Sequence, residues 1–307
     1  MLELKLEKEN LFLKVLEAIL DLVDVAHVDC SSKGLKLQVV DKEIVALIVL
    51  LFGPKNWQHY HCDEDFSMGI AIGDLVKAVR CANEGDTITI KVGDKNCNTI
   101  NLSFESSEEI TVAHDLRLVD ANNPRFDVPD WKDLASKYQA AIKMPSAEFM
   151  RICKYLSIIG GDVFISATEE GMHLLAWGIV GYMHINYMKS GEPTATVVTV
   201  GSPVSMTLDL KYMNCFAKAS TLFKEVEIFL STTQPLMVQC EIEHMCYIRC
   251  FLSPNGETEI EEEEIKIGKR KRDDKDEGIA KEKEGSKEIK GSAEEEGIQK
   301  ESKDRIE

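Results

Sequence analysis

A chain of 307 residues, 44% hydrophobic and 29% charged, is long enough for two ordinary domains with real cores, and none of its apolar runs approaches the roughly 20 residues that a membrane-spanning helix needs. Its nine cysteines, an odd number with no CxxC pair, point to reduced thiols and against a disulfide framework. A net charge of −17 counts against nucleic acid unless the positive side chains are gathered on one surface.

In chain order, Leu2, Leu4 and Leu6 alternate with Glu3, Lys5 and Glu7, a strand pattern and not the basic-then-apolar pattern of a secretory signal. Phe12, Val15, Leu16, Ile19, Leu22 and Val23 follow at helical spacing, then a strand, a tight turn at Gly34 and a second strand. Asp74 is read as the N-cap of a second helix carrying Leu75, Val76, Ala78 and Val79, and residues 87–90 and 100–104 alternate as strands. Residues 119–139 include Pro124 and Pro129, are polar and lack a period, which predicts an extended surface connection.

The pattern then begins again. Residues 11–37 match 148–174 at a constant offset of 137, without a gap: Phe12 falls on Phe149, Lys14 on Arg151, Val15 on Ile152, Ile19 on Leu156, Gly34 on Gly171 and Leu37 on Leu174. The second helix recurs at an offset of 135 behind Asp209, with Leu210, Met213 and Phe216, and strands follow at 226–230 and 236–242. The expected class is α+β, with two similar β/α domains, 1–118 and 140–256, a connecting loop at 119–139 and a charged tail at 257–307. The tail holds 19 acidic and 13 basic residues, which is −6, and the remaining 34 acids and 23 bases leave the body at −11. Its composition predicts disorder, and its cluster Lys269-Arg270-Lys271-Arg272 reads either as a nuclear import signal or as a chance run in a Lys/Glu-rich segment.

The polar faces of the helices are basic. Lys77 and Arg80 stand i,i+3, as do Arg151 and Lys154; Lys211 and Lys218 stand i,i+7; and Lys14 belongs with them, although Glu17, Asp21 and Asp24 accompany it. In an acidic body this recurrence predicts segregation, with a positive concave surface suited to phosphates and a negative exterior.

Four segments, LKVLEAILDLVDVAHVDCSSKGLKLQVVD, HCDEDFSMGIAIGDLVKAVRCA, KMPSAEFMRICKYLSIIGGDVFIS and the closing LSP, resemble the eukaryotic sliding clamps of the proliferating cell nuclear antigen family over residues 1 to about 254. The resemblance implies a DNA clamp fold, with three chains closing head to tail into a ring, helices lining the hole and sheets outside. It also implies a nuclear, non-catalytic processivity factor that encircles double-stranded DNA and docks DNA polymerase and other proteins through short clamp-binding peptides, and that a clamp loader places on DNA. By position, the DNA-facing set is Lys14, Lys77, Arg80, Arg151, Lys154, Lys211 and Lys218. The partner-peptide pocket is Val40, Ile44, Val45, Leu47, Phe126, Val128, Pro129, Phe251 and Pro254, and the ring edges are 110–118 and 177–187. Several positions depart from the family: Ile44 replaces a polar rim residue, Leu13 and Leu20 replace basic ones, Glu169 and Glu170 stand where a modifiable lysine is usual, and 130–137, with Trp131, is insertion-like.

Enzyme chemistry finds little support, because no GxSxG, HExxH or GxxxxGK[ST] element occurs and no cofactor is implied. His59, His61 and Cys62, or Cys240, His244, Cys246 and Cys250, read either as zinc ligands or as exposed imidazoles and buried strand thiols. Two non-enzyme alternatives are a subunit of a heterotrimeric checkpoint-type clamp and a clamp-fold scaffold that has lost DNA.

Overall fold

The computed structural model describes residues 1–7, 11–93, 97–106, 111–121, 124–129, 131–188, 196–242 and 246–255. The tail, its basic cluster and His244 lie outside them.

Leu2, Leu4 and Leu6 share the buried side of β1 (Leu2–Glu7), as their alternation predicts. The first half continues with α1 (Leu11–Ile19), β2 (Val25–Ser31), β3 (Gly34–Val40), β4 (Ala46–Phe52), β5 (His59–Cys62), β6 (Phe66–Ala71), α2 (Ile72–Arg80), β7 (Thr87–Val92), β8 (Thr99–Glu105) and β9 (Thr111–Arg117). A short helix, α3 (Trp131–Ala135), lies in the connection. The second half runs β10 (Ala140–Pro145), α4 (Ser146–Ile159), β11 (Asp162–Thr168), β12 (Gly171–Gly178), β13 (Gly181–Met188), β14 (Val197–Val200), β15 (Val204–Asp209), α5 (Leu210–Ser220), β16 (Glu225–Leu230), β17 (Leu236–Ile242) and β18 (Cys246–Leu252). Each half therefore repeats one order: strand, helix, five strands, helix, three strands.

The sheets carry the repeat further. One has the order β5-β1-β7-β8-β9 and another β13-β12-β11-β15. The third, of nine strands, is β14-β10-β16-β17-β18-β4-β3-β2-β6. It consists of the second half's copy of the first sheet joined to the first half's copy of the second. The joint is the antiparallel pair β18 and β4, from Cys246 opposite Phe52 to Leu252 opposite Ala46. Gly34 and Gly171 sit at equivalent turns with φ of 124° and 146°, where a side chain would run into the carbonyls of Phe52 and Tyr187, so the repeat keeps glycine at both.

Three expectations change. α1 stops at Ile19, and Val23 reaches the core from the turn after it. Asp74 is not the cap of α2: Ala71 holds that position and Asp74 lies in the first turn, so α2 and α5, each leaving a strand directly, correspond at an offset of 138. Asp209 does cap α5, its carboxylate accepting the Lys211 amide at 2.7 Å. The connection is only partly extended. Its middle is fastened to the first half by the Arg125–Asp29 ion pair and by Gln38, which donates to the Phe126 carbonyl at 2.7 Å and accepts the Phe126 amide at 2.8 Å. Beyond Pro129 it turns into α3, because Leu134 finds a place among Val49, Phe229, Met237 and Phe251.

Candidate DNA-facing helices and partner pocket

Apolar stripes fix which way each helix turns: Phe12, Val15, Leu16 and Ile19 of α1, Ile72, Leu75 and Val79 of α2, Phe149, Ile152 and Leu156 of α4, and Met213 and Phe216 of α5 are all buried. The helices pack side by side in the order α2, α1, α5, α4. Polar bridges cross each junction on the exposed face. Arg80 Nε donates to Glu17 Oε1 at 2.9 Å between α2 and α1, Lys218 Nζ to Asp21 Oδ2 at 3.0 Å between α5 and the end of α1, and Ser157 Oγ to Asn214 Oδ1 at 3.0 Å between α4 and α5.

The structure brings all seven sequence-chosen cations to these helices, and it gives most of them a carboxylate. Lys77 lies 3.4 Å from Asp74, Arg151 holds Glu148 through Nε at 2.9 Å and Nη2 at 2.6 Å, and Lys211 lies 3.1 Å from Glu43 and 3.7 Å from Asp209. Lys14 is half-buried, whereas Lys154 is exposed and makes no ion pair among the described residues. Donating to Glu43 and Asp21 raises the pKa of Lys211 and Lys218, and Arg151 leads the lowering at Glu148. These pairs are largely exposed, so each contributes little to stability; their larger effect is to thin the positive field. Leu13 is buried and Leu20 packs against the core, so both leucines serve packing.

A second site lies at the connection. A cavity of about 300 Å³ is lined by Val40, Ile44, Val45, Leu47, Phe126, Val128, Pro129 and Phe251, all chosen from the sequence. Pro254, also chosen, is not in the lining; Ser253 is. Sequence reading missed Leu134 and Tyr138, which α3 and the turn after it deliver, and Gln234 and Pro235 from the turn between β16 and β17. The rim from Asp41 to Val45 is a tight loop in which Ile44 takes φ 57°, rare for a β-branched residue. Asp41 holds it, accepting the amides of Val45 at 2.8 Å, Ala46 at 2.7 Å and Glu43 at 3.1 Å.

Residues 1–125 match the family model for the proliferating cell nuclear antigen N-terminal domain, and residues 133–255 match that for its C-terminal domain. The chain belongs to the proliferating cell nuclear antigen family. A proliferating cell nuclear antigen from Dictyostelium discoideum is 35% identical over 263 residues, which takes in 84% of this chain and the whole of that protein. As a member of this family the chain is a DNA sliding clamp and processivity factor, not an enzyme, and the checkpoint-type and DNA-free readings are not favoured. Clamps of this family form trimers and bind DNA, polymerases, the clamp loader and clamp-binding peptides.

Among the edge strands of the three sheets, β9 and β13 are the two whose repeat counterparts, β18 and β4, pair with each other. β9 occupies in its half the place that β18 has in the other, and β13 the place of β4. The second edge is thus Gly181–Met188, while Trp177 belongs to β12, and Ile110 lies outside the described residues. The zinc readings gain nothing: among the described residues no group of three potential ligands converges. Burial pushes the Cys240 and Cys246 thiols up to about 12 and Cys250 well above the ordinary thiol value, and His61 is taken by Asp63 at 2.6 Å. No helix among the described residues is long and apolar enough to cross a membrane.

Proposed function

We propose that Lys14, Lys77, Arg80, Arg151, Lys154, Lys211 and Lys218 face the phosphates of an encircled duplex, in a ring built from clamp domains 1–118 and 140–256 joined by 119–139. The observation that carries this reading is the row α2, α1, α5, α4, whose exposed face is crossed at its first two junctions by Arg80–Glu17 and Lys218–Asp21. Long flexible cations attract phosphates at every register and read no base edge, so the duplex slides past them. The carboxylates of Glu17, Asp21, Glu43, Asp74, Glu148 and Asp209 beside them keep the attraction weak, and closure of the ring does the holding. The cavity under the connection takes a partner peptide presenting one aliphatic and two aromatic side chains, with Ile44, Val45, Phe126 and Phe251 as its walls. The protein works in the nucleus.

The clamp loaded on a closed circular duplex stays bound in a salt wash and is lost when the circle is cut. Equal loss from circular and linear DNA would sink the reading. Ile44→Asp places a charge on the exposed rim and should weaken a labelled clamp-binding peptide by about tenfold or more in a fluorescence titration, a loss of about 1.4 kcal/mol.

A further inference from the structure

The pocket rim and the DNA-facing helices are built from different elements of the chain. In this chain a short set of hydrogen bonds joins them. The rim loop between β3 and β4 ends its turn against the first turn of α5. Tyr212, 2% exposed, donates its hydroxyl proton to Asp41 Oδ2 at 2.6 Å and also lies 3.2 Å from Glu43 Oε2. Lys211 donates to the same Glu43 oxygen at 3.1 Å, with its ammonium 4.6 Å from the centre of the Tyr212 ring. Asp41 in turn holds the amides of Glu43, Val45 and Ala46, and Ile44, Val45 and Ala46 line the cavity. Only Ile44, at φ 57°, breaks the ordinary backbone, so the loop keeps its shape because these bonds over-determine it.

We propose that Lys211 is a positioning residue for the peptide pocket, acting through Glu43, so that DNA and partner peptide compete for the state of one side chain. This rests on the reading that Lys211 faces DNA and that the cavity takes peptides. With no phosphate near, Lys211 holds Glu43 and the rim is set for a peptide. A phosphate that draws Lys211 away leaves Glu43 beside the Asp41 carboxylate with only Tyr212 between them. The two like charges then push the rim apart, and a peptide must order it again on binding. Linkage makes the effect reciprocal: a docked peptide tightens Glu43 on Lys211 and loosens that subunit's hold on DNA by the same factor. The pair is exposed, with side chains 51% and 63% accessible, so the factor is a modest one, about two- to fivefold.

The test uses the assembled full-length protein, a fluorescein-labelled peptide with one aliphatic and two adjacent aromatic anchors, and a short duplex at low salt, all in one anisotropy titration. For the unaltered protein, saturating duplex should weaken the peptide two- to fivefold. Glu43→Gln, which removes one of the two like charges, should bind the peptide at the unweakened affinity whether duplex is present or not, and should bind the duplex more tightly, an effect that mere loosening of the loop would not produce. Tyr212→Phe, which keeps Lys211 and Glu43, should weaken the peptide yet retain part of the duplex dependence. If peptide and duplex both bind and neither alters the other, or if Glu43→Gln keeps the full dependence, the coupling is wrong and the two sites stand. If the peptide or the duplex fails to bind at all, the underlying reading of that site fails and the coupling falls with it.

Discussion

Arg151 and Lys154 sit one turn apart on α4, yet the structure gives them different work. Glu148 already holds Arg151 through two hydrogen bonds, while Lys154 has no carboxylate among the described residues. Lys154→Ala should therefore flatten the plot of log affinity against log salt by about 0.9 for each lysine removed from contact. Glu148→Gln should steepen it by freeing Arg151, and anisotropy on a short duplex across a salt series reads both. Asp41 makes a second residue-scale prediction. Burial pushes its carboxyl up, but the hydrogen bonds from Tyr212 and from the Ala46, Glu43 and Val45 amides outweigh this and hold it below the ordinary value. A depressed carboxylate stabilises the fold above its unfolded value of about 3.9 and loses that contribution as pH falls through the folded one. The melting temperature of Asp41→Asn should lie below that of the unaltered protein at pH 6, and the gap should narrow at pH 3. The cations were legible in the sequence because helical spacing shows their common face. Three of their partners were not, since Glu17, Asp21 and Glu43 lie 63, 197 and 168 positions from Arg80, Lys218 and Lys211. Only folding brings those charges together.

At the scale of elements, the duplication was legible because both copies must bury the same side of the same helix and turn on the same glycine. Phe12 and Phe149, or Gly34 and Gly171, cannot drift apart without cost. The start of α2 was misread for the opposite reason. Asp74 has the right chemistry for a cap, but tertiary structure runs β6 straight into the helix and places Ala71 there. The connection was legible where prolines and polar residues keep it extended, and illegible at α3, whose formation depends on the hollow between Phe229, Met237 and Phe251 that receives Leu134. Leu134→Ala should cost about 2 kcal/mol, the low end for a buried leucine in a small cluster, as measured by denaturant unfolding. It should also weaken peptide binding, because the same side chain walls the pocket. For the same reason Tyr138, Gln234 and Pro235 escaped notice: no periodicity marks a residue that a turn carries to a site built elsewhere.

Across the whole molecule, the joint between β18 and β4 predicts how β9 of one subunit would pair with β13 of the next. Matching strand for strand through their registers, Cys250 corresponds to His114 and Ile48 to Met183, and Cys250 pairs with Ile48. His114 of one subunit should then lie opposite Met183 of the next, where paired strands bring Cα atoms to about 4.5–5.5 Å, within disulfide reach. In a background lacking the exposed Cys81, His114→Cys with Met183→Cys should give a covalent ring on mild oxidation, seen as a trimer band on a denaturing gel, whereas His114→Cys with His184→Cys, shifted by one residue to the opposite face, should not. The joint also decides where the ring gives way. β18 and β4 are two parts of one polypeptide, and the connection fastened by Arg125 and Gln38 straps their halves together, so prising them apart means tearing a continuous nine-stranded sheet. A seam between β9 of one chain and β13 of another would have no such strap. Opening such a ring to admit DNA should therefore part it between chains and leave the nine-stranded sheet of each chain whole.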